Sequence, residues 1–208
     1  LLEDIGFFYK EVGKNETSER YRIEALESVK SIEGDSTKDY STIENNLAVL
    51  YINMGYYEKA EPLLIHSIET KKRTTGENNS IYSSSQNNLA FVYQYMGQYS
   101  KSKSLFIEAL TIEKQISGEK SYKYVMKLSN LGGLYVLSGE YQNAEPTLLK
   151  CIEIYKEISM DNSIDYALCL NSLATLYEKI GQYEKAGSLY TKAIVIIKDI
   201  LTERHYFY

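Results

Sequence analysis

The sequence predicts an all-α fold, a solenoid of stacked antiparallel helix pairs, and three observations predict it. The wording of residues 45–69, NNLAVLYINMGYYEKAEPLLIHSIE, returns every 42 residues. Gly13, Gly55, Gly97, Gly139 and Gly181 stand in phase, as do Tyr9, Tyr51, Tyr93, Tyr135 and Tyr177, and again Tyr40, Tyr82, Tyr124, Tyr166 and Tyr208. Apolar residues fall at three- and four-residue spacing, and no segment alternates with a period of two over a strand's length. A period in this range marks supersecondary units that are too small to bury their own apolar faces and must stack.

The array is read as one domain over residues 1–208, with units at about 1–39, 40–81, 82–123, 124–165 and 166–208. In the second unit, helix A spans Tyr40 to Met54 and places Ile43, Leu47, Leu50, Tyr51 and Met54 on one face. Gly55 ends it, because glycine adopts the left-handed cap conformation without steric cost. Helix B runs from Tyr57 to about Thr74, roughly 27 Å long at 1.5 Å per residue, with Ala60, Leu63, Leu64, Ser67 and Ile68 facing inward. Gly76 marks the next turn, with Gly34 and Gly118 in phase. Pro62 and Pro146 are expected near the first turn of a helix B, where the missing N–H removes at most one backbone bond.

Two series of small residues mark close packing. Gly6, Ala48, Ala90, Gly132 and Ala174 are expected where helix A meets helix B, and Ser18, Ala60, Ser102, Ala144 and Ala186 where the following unit docks. The first unit is the weakest copy, with Asn15 in place of a Tyr57-type residue. The last helix B is apolar almost all round, through Ile194, Val195, Ile196, Ile197, Ile200 and Leu201. The chain opens partway through a unit without Met and closes on Tyr208, which would open a sixth, so a piece of a longer protein is expected. The apolar last helix is expected to meet more protein there, or to pair with a second copy in an isolated fragment.

Hydrophobic content of 44% with 25% charged residues fits a folded chain rather than a disordered one. The formal net charge of −5 argues against nucleic acid or an acidic membrane surface as partner, since either needs a basic stripe. No apolar run is long enough to span a membrane. Of the 21 tyrosines, fourteen fall in the Tyr9, Tyr40 and Tyr57 phases, so the excess reads as repeat packing. The two cysteines, Cys151 and Cys169, make neither a disulfide framework nor a zinc site; Cys151 shares its phase with Ala25, Ser67, Ala109 and Ala193 and reads as a small packed residue. This usage fits a reducing compartment, and the cytoplasm is the expected location.

The pattern Leu47-Ala48-x-x-Tyr51, Gly55, Tyr57, Ala60, Leu64 and a small residue at Ser67 resembles the tetratricopeptide repeat family. The 42-residue unit is longer than that family's common 34 and resembles the kinesin light chain-like subclass over residues 3–201. The turns GENNS, GEKSY and MDNSI lack the Pro and His of the family pattern. The resemblance implies a right-handed superhelix whose helices A line a concave groove for extended or helical peptides. Residues matched to that groove are Asn45, Asn46, Val49 and Asn53 in the second unit, and Asn87, Asn88, Phe91 and Tyr95 in the third. In the fourth and fifth they are Asn130, Leu137, Asn171, Thr175 and Glu178.

An asparagine amide both donates and accepts, so it can clamp a peptide backbone without reading side chains. The alternative is that these amides bond to a neighbouring helix and stiffen the stack. One family subtype grips a C-terminal carboxylate with basic residues; the matching places here hold Thr42, Asn45, Ser84, Asn87, Met126, Ser129, Leu168 and Asn171, none basic. The middle of the groove (Phe91, Tyr95, Val136, Leu137) suits an apolar anchor instead.

No catalytic constellation is legible. His66 and His205 stand without a metal-ligand partner at helical spacing and read as solvated, and no phosphate loop, G-x-S-x-G or C-x-x-C occurs. Glu58, Glu61 and Glu69 read as a solvated outer face, and the Asn15 and Asn78 sequons as chance. No cofactor or metal is implied. The function expected is a non-catalytic scaffold for a protein or peptide partner. The alternative implied by the resemblance is a sensor or recruiting region of a larger protein, with an effector such as a caspase-like peptidase or a signalling nucleoside triphosphatase outside these residues.

Overall fold

The computed structural model describes the backbone of residues 1–206 and the side chains of residues 1–202. Tyr208, the last of its tyrosine series, and the side chain of His205 lie outside the described residues. Among the described residues there are ten helices and no strands: α1 (Leu2–Glu11), α2 (Asn15–Glu33), α3 (Lys38–Asn53), α4 (Tyr57–Thr75), α5 (Ser80–Tyr95), α6 (Tyr99–Ser117), α7 (Tyr122–Leu137), α8 (Tyr141–Glu157), α9 (Ile164–Lys179) and α10 (Tyr183–Tyr206). Odd-numbered helices are the A helices and even-numbered ones the B helices. The all-α helix-pair fold is the one expected from the repeat. The chain forms two compact halves, Leu1–Ile112 and Glu113 onward.

Helix A begins earlier than Tyr40. Thr37, Asn79, Ser121 and Ser163 are the N-caps of α3, α5, α7 and α9, and each side chain accepts from the amide three residues on, at Tyr40, Tyr82, Tyr124 and Tyr166. These residues satisfy an otherwise orphaned donor at each helix start. They form a further series with the 42-residue period. Helix A stops at glycines in the left-handed region, Gly55 at φ +78° and Gly97 at φ +73° among them. At the end of α8 there is no glycine, and Ser159 takes the left-handed turn at φ 56°.

In the first half, Leu47, Leu50, Leu64 and Val92 form the centre of the core, with Tyr51 and Tyr93 at its edge. In the second, Leu134, Leu148, Leu170 and Leu176 are almost wholly buried. The first small series is buried throughout, and a Cβ on Gly132 would come within 2.7 Å of Leu148 Cδ2. The second small series is buried too, but its hydroxyls differ from the docking role expected. Ser18 donates to the Gly6 carbonyl and Ser102 to that of Ala90, each at 2.7 Å, so these residues pin helix B to helix A of the same pair. Pro62 and Pro146 lie at the sixth position of their helices, deeper than the first turn, so each leaves one carbonyl of its helix without an amide donor.

The Tyr9-phase tyrosines tie one pair to the preceding one. Tyr51 Oη donates to Glu19 at 2.8 Å and Tyr177 Oη to Glu145 at 2.9 Å. The rings of Tyr51, Tyr93 and Tyr177 carry Lys59, Lys101 and Lys185 at 4.9–5.0 Å. Burial and these carboxylate neighbours raise the phenol pKa of Tyr51 and Tyr177. The sequence reading of the tyrosine excess as packing holds at these positions.

Candidate functional site

In the first half the candidate residues lie on α3 and α5. Asn45, Asn46, Val49, Asn88 and Phe91 are half-buried, Asn53 and Tyr95 are exposed, and Asn87 is buried at 7%. The asparagines are linked from helix to helix. Asn46 Nδ2 donates to Glu3 Oε2 on α1 at 2.8 Å, and Asn88 Nδ2 donates to Asn45 Oδ1 at 3.2 Å. Ser85 Oγ also donates to Asn45 Oδ1, at 3.0 Å. The amide face toward the preceding helix is therefore used in stacking. The Oδ1 atoms of Asn46 and Asn88 accept no bond from the described residues, and each half-buried amide keeps this acceptor.

Two aromatics stand beside this ladder. Phe91 packs edge-on against Phe106, with centroids 5.2 Å apart. Tyr95 stacks flat on Tyr57 at 4.9 Å and remains 55% exposed. One ring face is thus held rigidly by the scaffold, which lowers the entropy cost of presenting the other.

Under the face lies a polar layer that the sequence reading does not anticipate. Lys71 of α4 is 2% exposed and donates to Ser85 Oγ at 2.8 Å. Burial pushes its ammonium down to about 8, against a smaller opposite pull from Glu44. Glu44, itself 4% exposed, lies 2.7 Å from His66 Nδ1, and burial raises its carboxyl pKa more than His66 lowers it. His66 is therefore a partner of a buried carboxylate, not a solitary solvated ring; it also meets Tyr40 edge-on. In the second half the corresponding layer holds Glu113 and Lys127, 3.6 Å apart and at most 2% exposed, and there too burial lowers the lysine pKa.

A cavity of about 340 Å³ opens between α1 and α3, walled by Glu3, Phe7, Arg22, Asn46 and Val49. Phe7, Glu3 and Arg22 escape the sequence reading, although stepping by 42 flags all three. Phe7 shares the phase of Val49 and Phe91, and Arg22 stands where Leu64, Phe106 and Leu148 are fully buried.

In the second half the candidates lie on α7 and α9. Asn130 and Thr175 are half-buried, and Leu137, Asn171 and Glu178 are exposed. Thr175 Oγ1 and Tyr190 Oη are 3.2 Å apart, and Tyr190 Oη donates to Glu178 Oε2 at 2.7 Å, so α10 fixes part of this face. A second cavity, about 510 Å³, lies among α8, α9 and α10, with Leu149, Leu173, Tyr177 and Lys192 in its walls. The described residues contain no group of three or more metal-ligating side chains and no helix long and apolar enough to cross a membrane.

Comparison with known folds matches this geometry. The structure of BtubC (BKLC) from P. vanneervenii is 21% identical, covers 96% of this chain and 79% of its own, and superposes with a TM-score of 0.80. A Podosopora anserina putative kinesin light chain with nearly identical TPR-like repeats is 18% identical, with 96% and 94% covered and a TM-score of 0.77. NprR, solved in complex with its cognate peptide NprX, is 19% identical, with 95% and 55% covered and a TM-score of 0.73. No curated protein sequence matches the chain. The tetratricopeptide repeat family matches residues 39–115, 81–156 and 123–198 in overlapping pairs of units. With its 42-residue period, its capped helix pairs and kinesin light chain-like folds among its neighbours, the chain belongs to the tetratricopeptide repeat family.

Proposed function

We propose that the chain is a non-catalytic scaffold that takes a partner peptide or protein segment on its helix-A faces, with Asn46, Asn88, Phe91 and Tyr95 as the central contacts. The observation that carries this is the amide ladder. Asn46 and Asn88 are each oriented by one bond to the preceding helix A, and each keeps its Oδ1 as an acceptor for a main-chain N–H. Such an array holds an extended backbone at low entropic cost, and the fixed Phe91 and Tyr95 rings supply apolar contact beside it. In the second half, taken by itself, the candidate contacts are Asn130, Leu137, Asn171, Thr175 and Glu178.

Membership of a repeat family whose usual work is protein interaction supports this reading, as does the likeness of fold to NprR, solved with a bound peptide. The test is capture of peptides from an arrayed random library by the full chain. The Asn88→Ala/Tyr95→Ala variant should lose capture while its helical circular dichroism is unchanged. Equal capture by both proteins overturns the assignment.

A further inference from the structure

The first pair of helices departs from the repeat at two positions that touch. Arg22 occupies the phase of Leu64, Phe106 and Leu148, and Glu3 that of Asn45, Asn87 and Asn171. Arg22 is 3% exposed and its Nη1 donates to Glu3 Oε2 at 2.8 Å. Gly6 leaves room for it, since a Cβ there would lie 3.1 Å from Arg22 Cγ. Stability does not account for the exchange, because a buried ion pair generally does no better than apolar residues of similar volume. The pair is also incompletely bonded. Arg22 Nε and Glu3 Oε1 are both buried with no partner, and leaving such atoms unfilled is costly in a folded protein.

Both residues form the wall of the 340 Å³ cavity, beside Asn46, whose Nδ2 is committed to Glu3 and whose Oδ1 is not. Glu3 lines the cavity and is a quarter exposed, and its terminal torsion is soft, so a turn of the carboxylate brings the buried Oε1 toward the cavity. The open valences at this wall are thus two acceptors, Glu3 Oε1 and Asn46 Oδ1, and the N–H groups of Arg22 other than the one given to Glu3. The charges around the cavity cancel, Glu3 and Asp4 against Lys10 and Arg22. A charged ligand would meet no surplus counter-charge there, whereas a neutral group with N–H donors and a carbonyl can serve both the acceptors and the guanidinium.

We propose that this cavity is a subsite for a primary carboxamide, the side chain of a glutamine or asparagine in the partner. Its NH₂ donates to Glu3 and Asn46, its carbonyl accepts from Arg22, and Phe7 and Val49 flank its methylenes. The proposal rests on the reading of the helix-A face as a peptide site and adds which side chain is read at its α1 end.

The test uses N-acetyl-glutamine methylamide as probe, with the glutamate, lysine and norleucine analogues as comparators, titrated into the isotope-labelled chain and followed by amide NMR shifts. The glutamine probe should move the amides of Gly6, Asn46 and Val49 and bind about tenfold tighter than any comparator. The Glu3→Asn/Arg22→Leu double variant restores the residues other pairs carry at these phases, keeps its helical signal, and should lose that preference. Equal shifts from all four probes, no shift, or a preference retained in the double variant overturns the proposal. Peptide-library capture by the same double variant separates the two readings: retained capture with no glutamine preference in the natural chain removes the subsite and leaves the face.

Discussion

Asn88 and Asn45, 43 residues apart, are joined by a hydrogen bond of 3.2 Å from Nδ2 to Oδ1, and Ser85 donates to the same oxygen. The two readings of these asparagines, stack and ligand, therefore describe different ends of one amide. Asn45 holds α5 to α3, while Asn88 is oriented by it. Asn45→Ala should cost about 1 kcal/mol, because it leaves the half-buried Asn88 Nδ2 without its acceptor and the buried Ser85 hydroxyl with only the Ile81 carbonyl. Asn53→Ala, on an exposed residue of the same helix, should cost almost nothing. Urea unfolding of the two variants checks this, and equal midpoints would refute the stacking role.

Inner and outer surfaces are separable by a matched pair of substitutions. Ala90 is fully buried, with its carbonyl accepting from Ser102, so Ala90→Leu should overpack the α5–α6 contact and cost on the order of 1–3 kcal/mol. Lys101 is exposed and only covers the Tyr93 ring at 4.9 Å; Lys101→Ala should lose less than about 1 kcal/mol. Thermal melts that coincide would sink the assignment of faces.

Ser159 marks the one described place where a residue other than glycine takes a left-handed turn. The conformation costs an L-residue roughly 1–2 kcal/mol. Ser159→Gly should therefore raise the melting temperature by a few degrees, consistent with about 1 kcal/mol. A drop in stability would mean that the Ser159 side chain contributes something the turn geometry does not reveal.

The fold is legible because repetition multiplies weak signals. Helix B of the second repeat is expected over Tyr57 to about Thr74 and runs Tyr57–Thr75. Helix A is expected two residues late, because the tyrosine at Tyr40 is conspicuous and its N-cap, Thr37, is replaced by Asn or Ser in the following repeats. The asparagine faces are legible as places. Their bonds are not, since an amide's partners depend on the offset between neighbouring helices. The polar layer of Lys71, Glu44, Glu113 and Lys127 is hidden for the opposite reason. Its helix-B slot changes chemistry from copy to copy (Val29, Lys71, Glu113, Tyr155), so a reading tuned to what repeats passes over it.

That layer yields a pH-dependent prediction at Lys71. Its ammonium is 2% exposed, donates to Ser85, and is balanced only in part by Glu44, whose nearer partner is His66. The folded-state pKa lies near 8 against an ordinary value of 10.5, so the unfolded chain holds the proton more tightly between those limits. Stability of the natural chain should rise with pH across that window, and the burden of the buried charge is fully present below pH 8. Lys71→Met removes the charge while keeping most of the packing volume. Its advantage at pH 7 should be on the order of 2–3 kcal/mol, and it should shrink as the pH climbs from 8 to 10.5. Tyrosines titrating at the top of this range are common to both proteins and cancel in the difference. Urea unfolding at pH 7, 9 and 10.5 reads it out, and a difference that stays constant across those three points would show that Lys71 is not carried as a buried charge.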